Sequence, residues 1–530
     1  MEEDHLKWKV NYQVIQPRDY QIELAKQILK TKSTILVMPT ALGKTYVTAL
    51  LIGAMLVEKP SMRAIFLAPT KPLSVQQGQR MSELVALNTT NGGIEVLTGE
   101  VGYEQRSISW KTAQIVVATP QTCLSDVLAN RLDLAGFDLL ILDECHRAVG
   151  NYAYGKLGKL AQEKNLKVLG LTASPSSNRS KIEEIKQNLG AQNIIIKTED
   201  DPQISNYLQK VEVEWTYLDL PESIKEIKKM LFSLLEITAK PLATKGYFGD
   251  NYSAAMINKR TLLNLQIKLI TMIKYKNPSA YSALTVQGKL MNIIHAIDLL
   301  ESEGLYTMLE FLKSMRTRKQ TSKAVKLLLE EPVIAQVMAK AQEFIERGEE
   351  HPKYQKTLEI VSQAKNENKK TIVFAHYRSS IAKIVQTLKA NQINAIELVG
   401  KSNSGMNQKE QGKAVENFRN GMFDVLVASS VAEEGLDIPS VDLVIFFEPV
   451  SSEIRLIQRR GRAGRVKAGR VLVLIAKETK DEAIFWLSRK REEMMHQTLK
   501  KMEEKQGGET LQTSFENGNK PKHQKKLFDF

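Results

Sequence analysis

Between about residues 30 and 200 the chain alternates short apolar runs, at 35–37, 64–68, 115–118, 139–142 and 168–171, with longer stretches of helical periodicity. Such alternation argues for βαβ units, in which each apolar run is a strand of a parallel sheet buried on both faces. The same rhythm returns after residue 351, with runs at 371–375, 395–399, 425–428, 443–447 and 471–475. The expected fold is therefore α/β, with two tandem parallel-sheet lobes over residues 1–208 and 351–490.

The intervening segment, 209–350, has a different texture. Ile224, Ile227, Met230, Leu231 and Leu234 recur at helical spacing, breakers are few and no alternating strand pattern is evident, so this segment reads as an inserted α-helical domain. From residue 251 to 297 it carries Lys259, Arg260, Lys268, Lys274, Lys276 and Lys289 and no acidic residue, and Arg316, Arg318 and Lys319 form a second cluster. Either a solvated helix face or a phosphate-gripping surface accounts for such a run. Beyond residue 490 the chain turns charged and polar, and 491–530 is expected to be a disordered tail. Its last residues include Gln524 and the apolar Leu527, Phe528 and Phe530, which call for burial on this protein's own surface or on a partner.

Three clusters carry chemistry. Gly43-Lys44-Thr45 closes the run 35–37. In a phosphate loop the chain leaves a strand, wraps backbone N–H groups around phosphates and begins a helix whose N-terminus also favours the anion. Lys44 then pairs with the β- and γ-phosphates, Thr45 offers its hydroxyl to Mg²⁺, and Asp143, closing the run 139–142, holds the same ion. Glu144 follows it and is suited to deprotonate the attacking water. The third cluster, Gln458-Arg459-Arg460-Gly461-Arg462-Ala463-Gly464-Arg465, sets arginines among glycines. Glycine permits close approach of the backbone, and guanidinium forks match phosphate oxygens bidentately.

Taken together, Pro39-Thr40-Ala41-Leu42-Gly43-Lys44-Thr45, Asp143-Glu144-Cys145-His146, Thr172-Ala173-Ser174-Pro175, residues 430–437 and residues 458–465 resemble the motifs of superfamily 2 helicases. The likeness is to the helicase half of archaeal Hef, a relative of the Fanconi anaemia M translocase and of the antiviral double-stranded-RNA sensors. What the resemblance implies is assigned position by position. Arg18 and Gln21 look like the adenine-recognition element, Gln21 having both a donor and an acceptor for the base edge. Pro69, Thr70, Lys71, Thr98, Gly99, Thr119 and Gln121 in the first lobe, with Arg378 and Ser429 in the second, correspond to contacts with a nucleic-acid backbone. Gly435 and Asp437 correspond to nucleotide contacts, and Gln458, Arg462 and Arg465 to the catalytic arginine motif. His146, Thr172 and Ser174 correspond to residues that couple nucleotide state to closure of the lobes. The resemblance further implies that the insertion grips branched DNA through Lys259, Arg260, Lys268, Lys274 and Lys276. The segment 524–530 is similar to a sliding-clamp-binding peptide.

Two departures from the pattern stand out. Relatives carry glycine where this chain has Ala41, and a positive φ there would cost about 1 kcal/mol. The Glu-Arg-Lys mark of the nuclease that continues Hef proper is absent, so no nuclease activity is expected. A net charge of +14 accords with a polyanion-binding protein. No apolar run approaches the roughly 18 residues of a membrane span, the first residues do not read as a signal sequence, and the two cysteines, Cys123 and Cys145, suggest neither disulfide nor zinc. A cytoplasmic, ATP- and Mg²⁺-dependent helicase or translocase acting on forked, branched or single-stranded DNA, linked to the sliding clamp, is the expectation. A double-stranded-RNA-directed ATPase and an inactive nucleic-acid-binding scaffold are its alternatives.

Overall fold

A computed structural model describes residues 4–39, 42–87, 92–173, 178–198, 201–205, 207, 212–248, 253, 256–317, 320–400, 405–429, 438–439, 441–449 and 469–512. The chain divides into two compact units, one of residues 1–208, 452–457 and 488–530, the other of residues 209–451 and 458–487.

In the first unit α1 (Asp19–Leu29) leads into β1 (Ser33–Val37). There follow α2 (Lys44–Glu58), β2 (Ala64–Leu67), α3 (Lys71–Leu84), β3 (Ile94–Leu97), α4 (Tyr103–Thr112), β4 (Ile115–Ala118) and α5 (Pro120–Leu128). The unit continues with β5 (Leu139–Asp143), α6 (Ala153–Glu163), β6 (Lys167–Thr172), α7 (Arg179–Leu189), β7 (Asn193–Ile196) and the short α8 (Pro202–Ser205). The strands form one sheet in the order β3-β4-β2-β5-β6-β1-β7, every pair parallel. β1, β2, β4 and β5 are buried at every position. Leu36, Phe66, Val117 and Ile141 enter one apolar layer, and their neighbours Val37, Leu67, Ala118 and Leu142 the other. That is why these strands read as unbroken apolar runs. β3 and β7 lie at the two edges, where one flank is open and Glu95 and Asn193 are tolerated, although β7 carries the short apolar run Ile194-Ile195-Ile196, which was not singled out from sequence.

The second unit opens with β8 (Glu212–Leu218) and a bundle of α9 (Glu222–Thr244), α10 (Lys259–Lys274), α11 (Ser279–Ser302), α12 (Leu305–Thr317), α13 (Lys323–Leu329) and α14 (Pro332–Glu346). After it come α15 (Pro352–Asn366), β9 (Thr371–Phe374), α16 (Arg378–Ala390), β10 (Ala395–Leu398), α17 (Gln408–Arg419), β11 (Val425–Ala428), β12 (Leu443–Phe446), β13 (Arg470–Ala476) and the beginning of α18 (Lys480–Gln512), which from residue 488 onward belongs to the first unit. Its sheet has the order β10-β11-β9-β12-β13-β8, again all parallel.

Two expectations are corrected. β8 falls within the segment read as wholly helical, yet it pairs with β13 along its length. No residue of β8 is fully buried, and Glu212 and Glu214 alternate with Val213 and Trp215, so this edge strand lacks the apolar run that marks the inner ones. The segment from 491 to 512, read as disordered, continues α18. It is rich in Lys, Glu, Met, Leu and Gln, good helix formers, and Met495 is buried in an apolar layer of the first unit. The bundle is also less separate than its sequence suggests, because Ala476 of β13 belongs to the bundle's own core.

Candidate functional site

Because all strands of the first sheet are parallel, the turns after them gather on one edge. In sheet order the turns after β3, β4 and β2 carry Thr98 and Gly99, Thr119 and Gln121, and Pro69, Thr70 and Lys71. The turns after β5, β6 and β1 carry Asp143 and Glu144, Thr172, and the loop to Lys44 and Thr45. The expected nucleic-acid residues thus occupy one half of the edge and the expected nucleotide residues the other.

In the nucleotide half, Gly43 precedes α2 with φ +80°, a left-handed conformation that favours glycine. A Cβ there would come within 2.6 Å of Gln21 Nε2. Gln21 is buried; its Nε2 donates to Leu42 O at 3.1 Å and its Oε1 accepts Arg18 N–H at 3.0 Å, while Tyr20 Oη donates to Leu42 O at 2.8 Å. The predicted base-recognition segment is therefore bonded directly to the phosphate loop. Lys44, at the first turn of α2, donates from Nζ to Met38 O at 3.1 Å and to Pro39 O at 3.4 Å. Thr40 and Ala41 lie outside the described residues.

The acidic pair ends β5, with β6 between it and β1. Asp143 is buried and its Oδ1 accepts the Glu144 N–H at 3.0 Å. Glu144 has φ 52° and ψ 49°, a left-handed backbone costing a non-glycine residue about 1–2 kcal/mol. Burial and the neighbouring Glu144 charge push the Asp143 carboxyl up to about 7. Burial acts on Glu144 in the same sense, but His146, Lys44 and Arg147 outweigh it and hold that carboxyl low. His146 Nδ1 lies 3.1 Å from Thr172 Oγ1 and at ion-pair distance, 3.2 Å, from Glu144 Oε2, which accepts no aligned hydrogen bond. Thr172 is itself in register with Val37 of β1, and its carbonyl accepts the Met38 N–H at 3.0 Å. His146 and Thr172, the residues expected to couple, thus form a chain from acid to loop; Ser174, expected with them, lies outside the described residues.

Two residues at the seam between the halves were not singled out from sequence. Tyr154 of α6 is fully buried, and its hydroxyl donates toward Leu67 O at 3.1 Å and Asp143 O at 2.7 Å, the ends of β2 and β5. Gln77 of α3 accepts from Thr45 Oγ1 at 3.3 Å. A further unforeseen neighbour is Tyr207, whose ring lies 4.4 Å from the Arg18 guanidinium. No motif spacing marks these three, which are recognisable only once α3, α6 and α8 are placed.

In the other half, Thr70 immediately precedes α3 and its buried hydroxyl has no hydrogen-bond partner among the described residues. Lys71 pairs with Glu100, Thr98 Oγ1 accepts the Glu100 N–H at 3.4 Å, and Thr119 Oγ1 lies 2.8 Å from Thr122 Oγ1 at the start of α5. Pro69 is buried, Gln121 is exposed, and a Cβ at Gly99 would meet open space.

In the second unit Arg378, at the start of α16, donates to Gly400 O, and Ser429 Oγ donates to Leu398 O at 3.4 Å. Gly435, Asp437, Gln458, Arg462 and Arg465 lie outside the described residues, as do Gln524, Leu527, Phe528 and Phe530. Of the basic residues on the bundle, Arg260, Lys268, Lys274 and Lys276 are exposed. Lys259 differs, for its Nζ is 2.6 Å from Asp298 Oδ2. Asp298 lies one residue beyond the acid-free stretch, and the antiparallel folding of α10 on α11 brings it back. Lys289 is likewise met by Glu331. No helix among the described residues is long and apolar enough to cross a membrane.

Three family descriptions match the chain: "DEAD/DEAH box helicase" at 18–182, "Putative ATP-dependent RNA helicase, helical bundle" at 223–348 and "Helicase conserved C-terminal domain" at 352–467. The chain is 38% identical to the crystallised Hef helicase domain of Pyrococcus furiosus, covering 91% of this chain and 99% of that one with a TM-score of 0.68. It is 36% identical over 502 residues to a protein of Methanocaldococcus jannaschii named "Putative ATP-dependent RNA helicase", covering 93% of this chain and 62% of that protein. It is 30% identical over 489 residues to the ATP-dependent DNA helicase mph1 of Neurospora crassa, covering 88% and 41%. The chain thus spans at most 62% of the length of these two curated relatives.

Proposed function

Since the chain belongs to the DEAD/DEAH-box helicases of superfamily 2, in the group that contains the Hef helicase domain, we propose that it is an ATP-driven DNA helicase or translocase acting on forked or branched DNA. What supports the proposal is the divided sheet edge, on which the turns assigned to nucleotide and those assigned to polyanion are neighbours and Tyr154 is bonded to both β2 and β5.

Lys44 is assigned to the β- and γ-phosphates and the Gln21 segment to adenine. Glu144, held as a carboxylate by surrounding positive charge, takes the proton of the attacking water. Thr45 and Asp143 supply hard oxygen ligands that fit Mg²⁺, and Asp143, pushed up by burial and the Glu144 charge, is the carboxyl that a divalent ion would hold ionised. When bound, that ion screens the phosphate oxygens. His146 and Thr172 relay the state of the acidic pair to the loop. Arg462 and Arg465 are assigned to the charge that develops on the transferred phosphoryl group, with Gln458 in the same motif and Gly435 and Asp437 at the nucleotide. Thr70, Thr98, Thr119, Arg378 and Ser429 are assigned to the DNA backbone, and Arg260, Lys268, Lys274 and Lys276 to the branched substrate. Docking on a sliding clamp rests on Gln524, Leu527, Phe528 and Phe530 as sequence alone.

A second reading, RNA as substrate, is favoured by the name of the Methanocaldococcus relative. ATP turnover measured with forked DNA, double-stranded RNA or no nucleic acid separates the two. Strongest stimulation by the fork is expected. Greater stimulation by RNA would overturn the DNA assignment, and absence of turnover under all three conditions would leave a scaffold.

A further inference from the structure

The turn between α10 and α11 presents two aromatic rings to solvent on a backbone with little freedom. Tyr275, directly after α10, is 83% exposed, and Tyr281, in the first turn of α11, is 60% exposed. Between them Lys276 adopts a left-handed conformation, φ 58°. The Lys276 N–H donates to Ile273 O at 2.9 Å and the Asn277 N–H to Met272 O at 3.1 Å, which closes α10. Asn277 Oδ1 then accepts from Ser279 N at 3.1 Å and from Ser279 Oγ at 2.8 Å, which opens α11. The rings therefore stand on a preorganised tip rather than a loose loop.

The charged residues carried by α10 and by the turn after it are all basic. Lys268, Lys274 and Lys276 are exposed, and no carboxylate among the described residues lies in ion-pair range of them. Lys259 and Lys289, further along the same helices, are neutralised by Asp298 and Glu331, which leaves Arg260 at the far end of α10 and three lysines, Lys268, Lys274 and Lys276, toward the aromatic end. An exposed aromatic pair set among unpaired lysines complements a nucleic-acid base and its phosphates: the ring offers a stacking face and the ammonium groups a counter-charge. Within continuous duplex the bases already stack on each other, so a face of this kind finds an open base only at an end or a junction.

We propose that Tyr275 and Tyr281 form a stacking tip that engages the unpaired base at the branch point of forked DNA, while Lys268, Lys274 and Lys276 hold the adjoining phosphates. This rests on the proposed branched-DNA function and names the feature of the branch that is recognised. Stacking makes the tip a discriminator of junction from plain duplex, because the lysine contacts are available to both.

The test is fluorescence anisotropy of the full chain on a fork and on an uninterrupted duplex of equal length and charge, together with 2-aminopurine at the branch-point base of the fork. Wild type should bind the fork more tightly and change the 2-aminopurine emission. Tyr275→Ala with Tyr281→Ala should weaken fork binding at least about fivefold, the lower bound for loss of one stacked base, remove the emission change and leave duplex affinity nearly unaltered. Tyr275→Trp, which keeps a stacking face, should retain the preference. Equal loss on both DNAs, or no loss on the fork, overturns the tip and returns its rings to a protein partner. If wild type itself shows no fork preference, the branched-DNA reading fails first, a distinct result. Thermal unfolding of each variant verifies that these exposed changes leave the fold intact.

Discussion

Lys353 Nζ lies 2.5 Å from Asp481 Oδ2, and neither side chain reaches solvent. Lys353 also donates to Ser302 O at 2.9 Å, and Asp481 Oδ1 accepts from Ser302 Oγ at 2.7 Å. Close by, the Ser380 hydroxyl donates to Glu303 Oε2 at 2.6 Å and lies 3.1 Å from Thr307 Oγ1. Ser302, Glu303 and Thr307 belong to the α11–α12 region of the bundle, whereas Lys353, Ser380 and Asp481 come from α15, α16 and α18. A buried polar network therefore joins the bundle to the second sheet's helices. Interlocked hydrogen bonds fix one geometry in a way that apolar packing alone does not.

Removing one partner leaves the other charge buried and unpaired, which typically costs about 3–5 kcal/mol. Lys353→Met or Asp481→Asn should destabilise the second unit on that scale, and the double change should recover part of the loss. Chemical denaturation is the measurement. Single-variant losses under about 1 kcal/mol would mean that the pair contributes no more than a surface ion pair.

The His146–Thr172 contact predicts a separation of two activities. Thr172→Val keeps the shape and deletes the hydroxyl 3.1 Å from His146. ATP turnover should persist within a few fold, while strand separation per ATP falls by roughly tenfold or more, the loss of one coupling contact of about 1.4 kcal/mol. Parallel loss of turnover and unwinding would make Thr172 part of the hydrolytic machinery instead.

Gly43→Ala places a Cβ 2.6 Å from Gln21 Nε2 on a backbone at φ +80°, so both the loop and the base-recognition segment must shift. Nucleotide affinity should drop by an order of magnitude or more, given about 1–2 kcal/mol of left-handed strain before the clash is counted. Gln21→Ala should loosen the choice of adenine over guanine while retaining phosphate binding. Calorimetry with ATP and GTP distinguishes these, and unchanged ATP affinity in Gly43→Ala would show that the loop's conformation does not matter to binding.

How much of this was legible depended on which physical signal each residue leaves in sequence. Strands buried on both faces announce themselves, as 35–37 and 139–142 did. The edge strands β3 and β8 are marked less clearly, since one open flank admits Glu95, Glu212 and Glu214; β7, with Ile194-Ile195-Ile196, and the edge strand β10, within the run 395–399, do carry apolar residues in sequence. Lys44, Asp143 and Glu144 were singled out through local spacing, and Thr172 through the resemblance of its motif. Tyr154 and Gln77 act across 87 and 32 residues of chain, and nothing local marks them. The acid-free stretch 251–297 was correctly read, but Asp298 and Glu331 reach Lys259 and Lys289 only through folding of the bundle.

Asp126 predicts an acid dependence of the first unit. Its carboxylate is fully buried, Oδ2 accepting from Arg106 Nε at 2.7 Å and Trp110 Nε1 at 2.9 Å, Oδ1 from Arg106 Nη2 at 2.9 Å and Arg131 Nε at 2.8 Å. Burial alone would raise the group, but the bonds from Arg106, Trp110 and Arg131 outweigh it and hold the carboxyl at about 2. An unfolded aspartate titrates near pH 3.9. The folded value is the lower one, so the ionised form stabilises the fold fully above pH 3.9 or so and that contribution, about 2 kcal/mol, is lost as pH falls toward 2. Asp126→Asn should lower stability near neutral pH and show a shallower fall than wild type between about pH 4 and 2, as read from thermal unfolding at a series of pH values. If the two profiles run parallel through that window, the guanidinium groups do not hold Asp126 ionised, and the cluster is packing rather than charge.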